Sequence, residues 1–271
     1  VDKGYAVTFN SNSIDIFQND EAEFRIEYHN EFIIVLAINF STSTQGLGNN
    51  LIARLNENFS GKIISHCSFA FTKCSINKTN PNLLNEHFGD DQYIGSYVYD
   101  NAARVWTSFI HGQSSNDTLF LIEDFSLGER RRGRLIQDLV EMTFYKHMAE
   151  IAFPMTEKLS KRIMNLESKL LNLTNRISTA VGTENQKVLL NELLEISCKT
   201  EWWQNSTGHR FSATEAYINI FKDRLIALDE SKVDGYQTLT SFYTKITTPT
   251  YRTYQSTNDK LESVVKRTDR A

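Results

Sequence analysis

Cysteine is scarce and scattered in this chain. Cys67, Cys74 and Cys198 form no Cys-x-x-Cys pair and no ligand cluster, and their odd number argues against a disulfide framework, so a reducing compartment is expected. Basic charge is not in excess either. The net charge is -4 and the pI is about 5.9, which excludes a general electrostatic attraction to nucleic acid or to an anionic bilayer. No apolar run approaches the roughly 20 residues of a membrane span. The longest, "FIIVLAINF" at 32–40, reads as a buried strand. No charged leader followed by an apolar stretch marks a secretion signal. GxxxxGK[ST] and GxGxxG are both missing, and "QGLGNN" lacks the lysine, so no nucleotide cofactor is expected. GxSxG and HExxH are absent too, and no residue is assigned as catalytic or as a metal ligand.

What the chain does have is enough apolar content, 40% of 271 residues, for a real core. Its first part is rich in short β-branched and aromatic runs: "YAVTF", "FRIEY", "FIIVLAINF", "KIISHCSFAF", "YIGSYVYD", "ARVWTSFIH" and "TLFLIEDF", separated by Asn, Ser, Gly and Asp. "GNNLIARLNENFSG" and "NPNLLNEHFG" read as short helices ended by glycine. This predicts an α+β domain over 1–126, with short helices on a mainly antiparallel sheet.

From Glu129 the hydrophobic period becomes helical, and 127–271 reads as a domain of long helices. Leu159, Ile163, Leu166, Leu170, Leu173, Ile177 and Ala180 alternate steps of four and three, a heptad seam. Leu189, Leu193, Ile196, Thr200 and Trp203 form a second seam beyond "AVGTENQ", where Gly182 suits a helix end and Thr183 with Gln186 a capping box. So short a connection predicts an antiparallel coiled-coil hairpin. Ser212 with Glu215 reads as another capping box, opening a helix with Ala216, Tyr217, Ile220, Phe221, Leu225 and Leu228 on one face. Beyond Gly235 a helix pair is expected, 236–247 and 249 onward, divided by "TTPT" with Pro249 in a first turn. Tyr254, Asn258, Leu261, Val265 and Thr268 make a weaker seam that runs to the end. With Val1 in place of Met at the start, the chain is expected to be a fragment or a processed product whose helical stalk continues.

Candidate site residues come from two places. In "EYHNEF", His29 and Glu31 would share one strand face, and an acid–base or metal site would need a third group: His66, His87 with Asp90 and Asp91, or His111. None has a ligand spacing, so a hydrogen-bonded structural pair is the preferred reading. Cys67 and Cys74 read as core residues. Trp203 lies on the seam, whereas Trp202 faces another helix or solvent. The second place is "GERRRGRLIQDLVEMTFYKHMAEIAFP" at 128–154. Four arginines sit where a helix dipole least favours positive charge. Arg134, Gln137, Glu141 and Tyr145 form one polar ridge there, between Leu135, Ile136, Leu139, Val140, Met142, Phe144, Met148 and Ile151. The ridge is expected to find partners inside the protein, with Arg134 joined to Asp138 or Glu141 as a buried clamp between sheet and helices. Arg130, Arg131 and Arg132 are expected to face solvent or an interface.

At these residues a resemblance appears. "GRLIQDLVEMTFYKHMAEIAFP", "HRFSATEAYINIFKDRL" and "GYQTLTSFYTKITTPTYRTY", preceded by "HNEF", resemble a bacterial family of predicted membrane-anchored proteins, domain of unknown function 3422. The resemblance spans nearly the whole chain in order. It marks His29, Glu31, Phe32, Gly133, Arg134, Gln137, Glu141, Tyr145, Pro154, Arg210, Phe211, Ala213, Tyr217, Gly235, Gln237, Leu239, Phe242, Pro249 and Arg252. This chain departs from the family pattern at Asp138, Thr143 and Lys146. The resemblance implies a soluble α+β and helical region followed by a C-terminal membrane segment that is missing here, with the soluble part on the cytoplasmic face of an inner membrane. It implies no activity. Three functions are therefore expected in order: a non-enzymatic, self-associating structural or interaction module; a regulatory domain of a channel or transporter, which resembles CorA-type divalent-ion channels only in general plan; and a metal-dependent hydrolase using His29 and Glu31. A homo-oligomer and a membrane are the expected partners. Nucleic acid is not, given the acidic balance and no aromatic interleaving of the arginines.

Overall fold

A computed structural model describes residues 6–10, 13–18, 20, 22–29, 31–39, 63–74, 81–89, 92–108, 117–179 and 182–268. Two compact units are present, Val1–Ile63 and Ile64–Ala271. In the first, strands β1 (Ala6–Asn10), β2 (Ile14–Gln18), β3 (Ala22–Tyr28) and β4 (Ile33–Asn39) form an antiparallel meander in chain order. β2 was not among the expected strands. Asp15 and Gln18 interrupt its apolar signal, and pairing with β1 on one side and β3 on the other makes it a strand. The helix expected within 48–61 lies outside the described residues.

The second unit is built on a five-stranded sheet in the order β5-β8-β7-β6-β9: β5 (His66–Lys73), β6 (Tyr93–Val98), β7 (Ala103–Ser108), β8 (Asp117–Asp124) and β9 (Ser231–Lys232). β5 runs parallel to β8 and the other neighbours are antiparallel. Strand alternation sorts side chains onto two faces. Ile94, Val98, Val105, Phe120 and Ile122 join Leu135, Leu139 and Met142 in a large core with the long helices. On the other face Trp106 and Leu121 pack with Leu84 and Phe88 of helix α1 (Pro81–Phe88) and with Val233. α1 matches the expected short helix, and Gly89, at φ +60, ends it. Gly95 lies opposite Trp106 in the β6–β7 register, and the absence of its side chain leaves the space that the indole fills.

Four long helices follow: α2 (Glu129–Glu150), α3 (Phe153–Thr179), α4 (Thr183–Ala227) and α5 (Leu239–Thr268). The architecture is α+β, with long helices making up the C-terminal part, as the sequence predicts. α3 and α4 form a hairpin whose seam buries Leu159, Ile163, Leu166, Leu170 and Leu173 against Leu189, Ile196 and Thr200. Ile177, expected on the seam, is exposed. Both expected capping boxes need correction. Thr183 makes no capping box, because the N-cap is Gly182 at φ 98 and carries no side-chain bond. Ser212 starts no helix. α4 runs unbroken for 45 residues, since Thr207, Phe211, Thr214, Ile218, Phe221 and Leu225 continue the buried spacing straight through it, and continuous burial outweighs a local capping signal. Ser212 and Ala216 lie exposed on the other side.

α5 is also one helix, with Pro249 in its interior instead of at a first turn. Pro249 removes the amide that would bond the Lys245 carbonyl. Around it, the hydroxyls of Thr247, Thr248 and Thr253 donate to the carbonyls of Tyr243, Thr244 and Pro249. The buried face of α5 reads Leu239, Tyr243, Thr247, Tyr251, Tyr254, Thr257, Leu261, Val264 and Thr268, so Asn258 and Val265 are not on the seam. Its start is tied to the sheet: Leu239 N–H donates to Ser96 Oγ at 2.9 Å and Gly95 N–H to the Gln237 carbonyl at 3.1 Å.

Candidate functional site

A polar network lies where the β6–β7 turn, the first half of α2 and the end of α4 meet. In that turn three consecutive non-glycine residues, Tyr99, Asp100 and Asn101, take left-handed φ values of 52, 58 and 61. Asp and Asn tolerate that region, but a tyrosine is rarely found there without support from its surroundings. Tyr99 is held on three sides. Its N–H donates to the Leu228 carbonyl at 2.9 Å, its carbonyl accepts Arg131 NH2 at 2.7 Å, and its hydroxyl donates to Asp138 Oδ2 at 2.5 Å. The Arg131 guanidinium also lies 5.4 Å from the Tyr99 ring centroid.

Asp138 and Glu141 share one cation from α4. Arg224 Nε donates to Glu141 Oε2 at 2.6 Å, and its NH1 stands 3.6 Å from Asp138 Oδ1. Gln137 Nε2 donates to the other Glu141 oxygen at 2.8 Å. Further along, the Tyr145 and Tyr217 rings stack at 5.7 Å, so the two helices are laced at two levels, one at the Arg224 pairs and one at these rings. At the helix start Arg132 Nε donates to Asp124 Oδ2 at 2.6 Å, while Asp124 Oδ1 accepts the Leu127 amide at 2.8 Å. The helix-start arginines therefore have acceptors of their own: Arg132 a carboxylate, and Arg131 a carbonyl and a ring.

Protonation follows from this geometry. Burial pushes the Tyr99 hydroxyl above its ordinary value, its hydrogen bond to Asp138 and that carboxylate's charge push it further, and Arg134 and Arg131 pull back in part. Tyr99 is a neutral donor. Burial works against the charge on Arg224, but Glu141, then Asp138 and Tyr145, more than offset it and leave its pKa above the ordinary range. Each carboxylate of the network thus meets a cation or a hydroxyl, and the arrangement clamps the turn, α2 and α4 together.

The sequence candidates divide accordingly. Gln137, Glu141 and Tyr145 belong to the network, but Arg134 does not occupy its centre. It is exposed, and the clamp arginine is Arg224, brought from 83 residues away. Arg210 lies roughly 21 Å up α4 from Arg224 at 1.5 Å per residue. Its carbonyl accepts the Thr214 hydroxyl. His29 and Glu31 belong to the first unit, in the tight turn between β3 and β4, where His29 N–H donates to the Phe32 carbonyl at 3.0 Å. The His29 ring stacks on Phe32 at 4.3 Å, and its Nε2 is 3.8 Å from Glu27. Asp90, Asp91 and His111 lie outside the described residues. Among the described residues, no three His, Cys, Asp or Glu side chains converge on one point as metal ligands would.

A second buried cluster was not anticipated. Arg104 and Glu123, directly opposite on β7 and β8, are 1% exposed each and pair at 2.5 Å. Trp106 Nε1 donates to the same Glu123 oxygen at 2.6 Å. The Arg104 guanidinium sits 5.5, 5.2 and 5.6 Å from the Tyr97, Trp106 and Phe125 ring centroids. Both charges lie in runs, "ARVWTS" and "LFLIED", whose apolar neighbours mark them as strands. A charge of each sign inside two such strands was the available signal for a pair.

The family described as "Protein of unknown function (DUF3422)" matches residues 7–271. The chain belongs to this family. No curated protein and no solved structure matches it. Membership in the DUF3422 family assigns no chemistry to either cluster, so their roles rest on geometry alone. No described helix of this DUF3422 chain is long and apolar enough to cross a membrane.

Proposed function

We propose that this chain is a non-enzymatic interaction module that self-associates through its helical hairpin. One observation carries the reading: the hairpin holds large apolar side chains in solvent, with Met164, Leu171, Leu190, Leu194 and Trp202 each more than half exposed. Exposed apolar residues gathered on one element mark contact surfaces, and a tryptophan among them is the residue type most often decisive at an interface. The clamp of Asp138, Glu141 and Arg224 supports the same reading from the other end, since it fixes the base of the hairpin on the sheet. In this proposal the module stands on the cytoplasmic side of a membrane, anchored by a segment beyond this chain, as the resemblance implies. Multi-angle light scattering of the 271-residue chain over a concentration series tests the self-association. A mass above that of one chain is expected, and a strict monomer throughout refutes the reading.

A further inference from the structure

The two flanks of the α3–α4 hairpin differ in chemistry. On one, Arg176 holds Glu192 through two bonds of 2.6 and 2.9 Å, Lys199 pairs with Glu195, and Lys169 and Asn172 line the polar groove between them. On antiparallel helices, residues one past the seam turn to the same side. Met164 and Leu171 of α3 therefore turn to the same side as Leu190 and Leu194 of α4, among Glu167, Thr174 and Ser197, and α5 packs along both helices of the hairpin. Leu190, Leu194, Cys198 and Trp202 are four residues apart and all exposed, so they form a continuous ridge.

The charges along that ridge are antisymmetric. Lys187 lies seven residues before Leu194 and Glu201 seven after, both on the ridge face. Each has a contact within its own helix, Lys187 with Glu184 and Glu201 with the Ser197 hydroxyl, and exposed contacts of that kind contribute little. In an antiparallel pair of α4 helices centred on Leu194, each Lys187 faces the second copy's Glu201, and Leu190 faces Cys198. A parallel pair would place Lys187 on Lys187 and Glu201 on Glu201. A pattern that complements itself on reversal is what a two-fold contact between identical chains requires.

From this we infer that the occupant of the α4 ridge is a second copy of this chain, packed antiparallel about a two-fold axis at Leu194. The inference rests on the self-association proposed above and names its surface and register. Three variants of the 271-residue chain test it by sedimentation and cross-linking. Leu194→Asp is expected to weaken the dimer by about tenfold or more while leaving the far-ultraviolet circular-dichroism spectrum of the folded chain unchanged. Lys187→Glu and Glu201→Lys should each weaken it, and the double exchange should restore it, because in a parallel pair the double variant still faces like charge. Leu194→Cys should give a covalent dimer under mild oxidation. Cys198 alone should not, its two copies lying roughly 12 Å apart along the paired helices. A wild-type monomer would overturn this inference together with the self-association. A dimer indifferent to Leu194→Asp, or one cross-linked through Cys198 and not Leu194→Cys, would overturn the interface and leave self-association standing.

Discussion

Replacing Gly95 by alanine puts a methyl carbon 2.1 Å from Trp106 Cε3, 2.3 Å from Cζ3 and 2.8 Å from Cδ2. Real carbons do not approach closer than about 3.4 Å without repulsion, so the indole must retreat by more than an ångström. It has nowhere to go. The ring is fully buried, lies edge-on to Tyr236 at 4.8 Å and to Tyr93 at 5.8 Å, and is fixed at its nitrogen by Glu123 at 2.6 Å. Overpacking of this kind costs about 1–3 kcal/mol. Losing the bond to an ionised acceptor adds about 1.5–3 kcal/mol. We expect Gly95→Ala to destabilise the second unit by about 3–5 kcal/mol, read by urea or guanidinium denaturation followed by circular dichroism. The control is Trp106→Leu, which empties the space: in the double variant the alanine methyl has room, so the two costs should fall short of additivity by about 1–3 kcal/mol. A single variant within about 0.5 kcal/mol of wild type, or an additive pair, would show that the indole is not where the register places it.

Three further outcomes follow from the described contacts. Glu123→Gln removes the buried carboxylate charge that faces Arg104 among three aromatic rings and should cost about 3–5 kcal/mol in the same denaturation assay, whereas a loss under about 1 kcal/mol would mean that this charge pair does not stabilise the sheet. Burial raises the pKa values of Tyr99, Tyr243 and Tyr251 and brings Tyr254 up to about 12. In the unfolded chain these phenols lose their protons near pH 10 and in the folded chain above it, so stability is whole below about pH 10 and falls as pH rises past it. Absorbance titration at alkaline pH should show a late class of tyrosines ionising together with unfolding, and a single class near pH 10 in the folded protein would contradict this. Pro249→Ala restores an interior helical amide at an exposed position and should raise stability by about 1–3 kcal/mol; a lowered thermal midpoint would mean that α5 needs the bend to pack.

Legibility in the sequence tracked the locality of the signal. The helical seams of 155–180 and 189–203 were readable because a heptad repeats over many turns, and the short helix ended by Gly89 because its punctuation is local. The continuous α4 and α5 were not. "HRFSATE" and "TTPT" carry real start and stop signals at Ser212 and Pro249, and packing of Phe211, Thr214, Tyr251 and Tyr254 overrides them. Tyr254, for instance, donates to the Phe211 carbonyl at 2.7 Å across the two helices. In the network, the α2 residues Gln137, Glu141 and Tyr145 were found from helical spacing, but the partner of Glu141 is 83 residues away and no spacing rule reaches it. Asp138, read as a departure from the family pattern, turns out to be the buried carboxylate that holds Tyr99.

The lacing of α2 to the far half of α4 has a consequence for how this chain can change over time. Everything between Glu141 and Arg224 leaves the body along one limb and returns along the other, so the closure at Asp138, Glu141 and Arg224 is indifferent to how far the chain travels in between. The limbs, however, must agree with each other. Removing seven residues from one alone slips the whole seam by two turns, and removing seven from both also shifts them against α5, which packs along each, unless α5 loses the same length. The reach of the arm is thus a ruler graduated in heptads matched across three helices, and the sheet it is mounted on does not set the length.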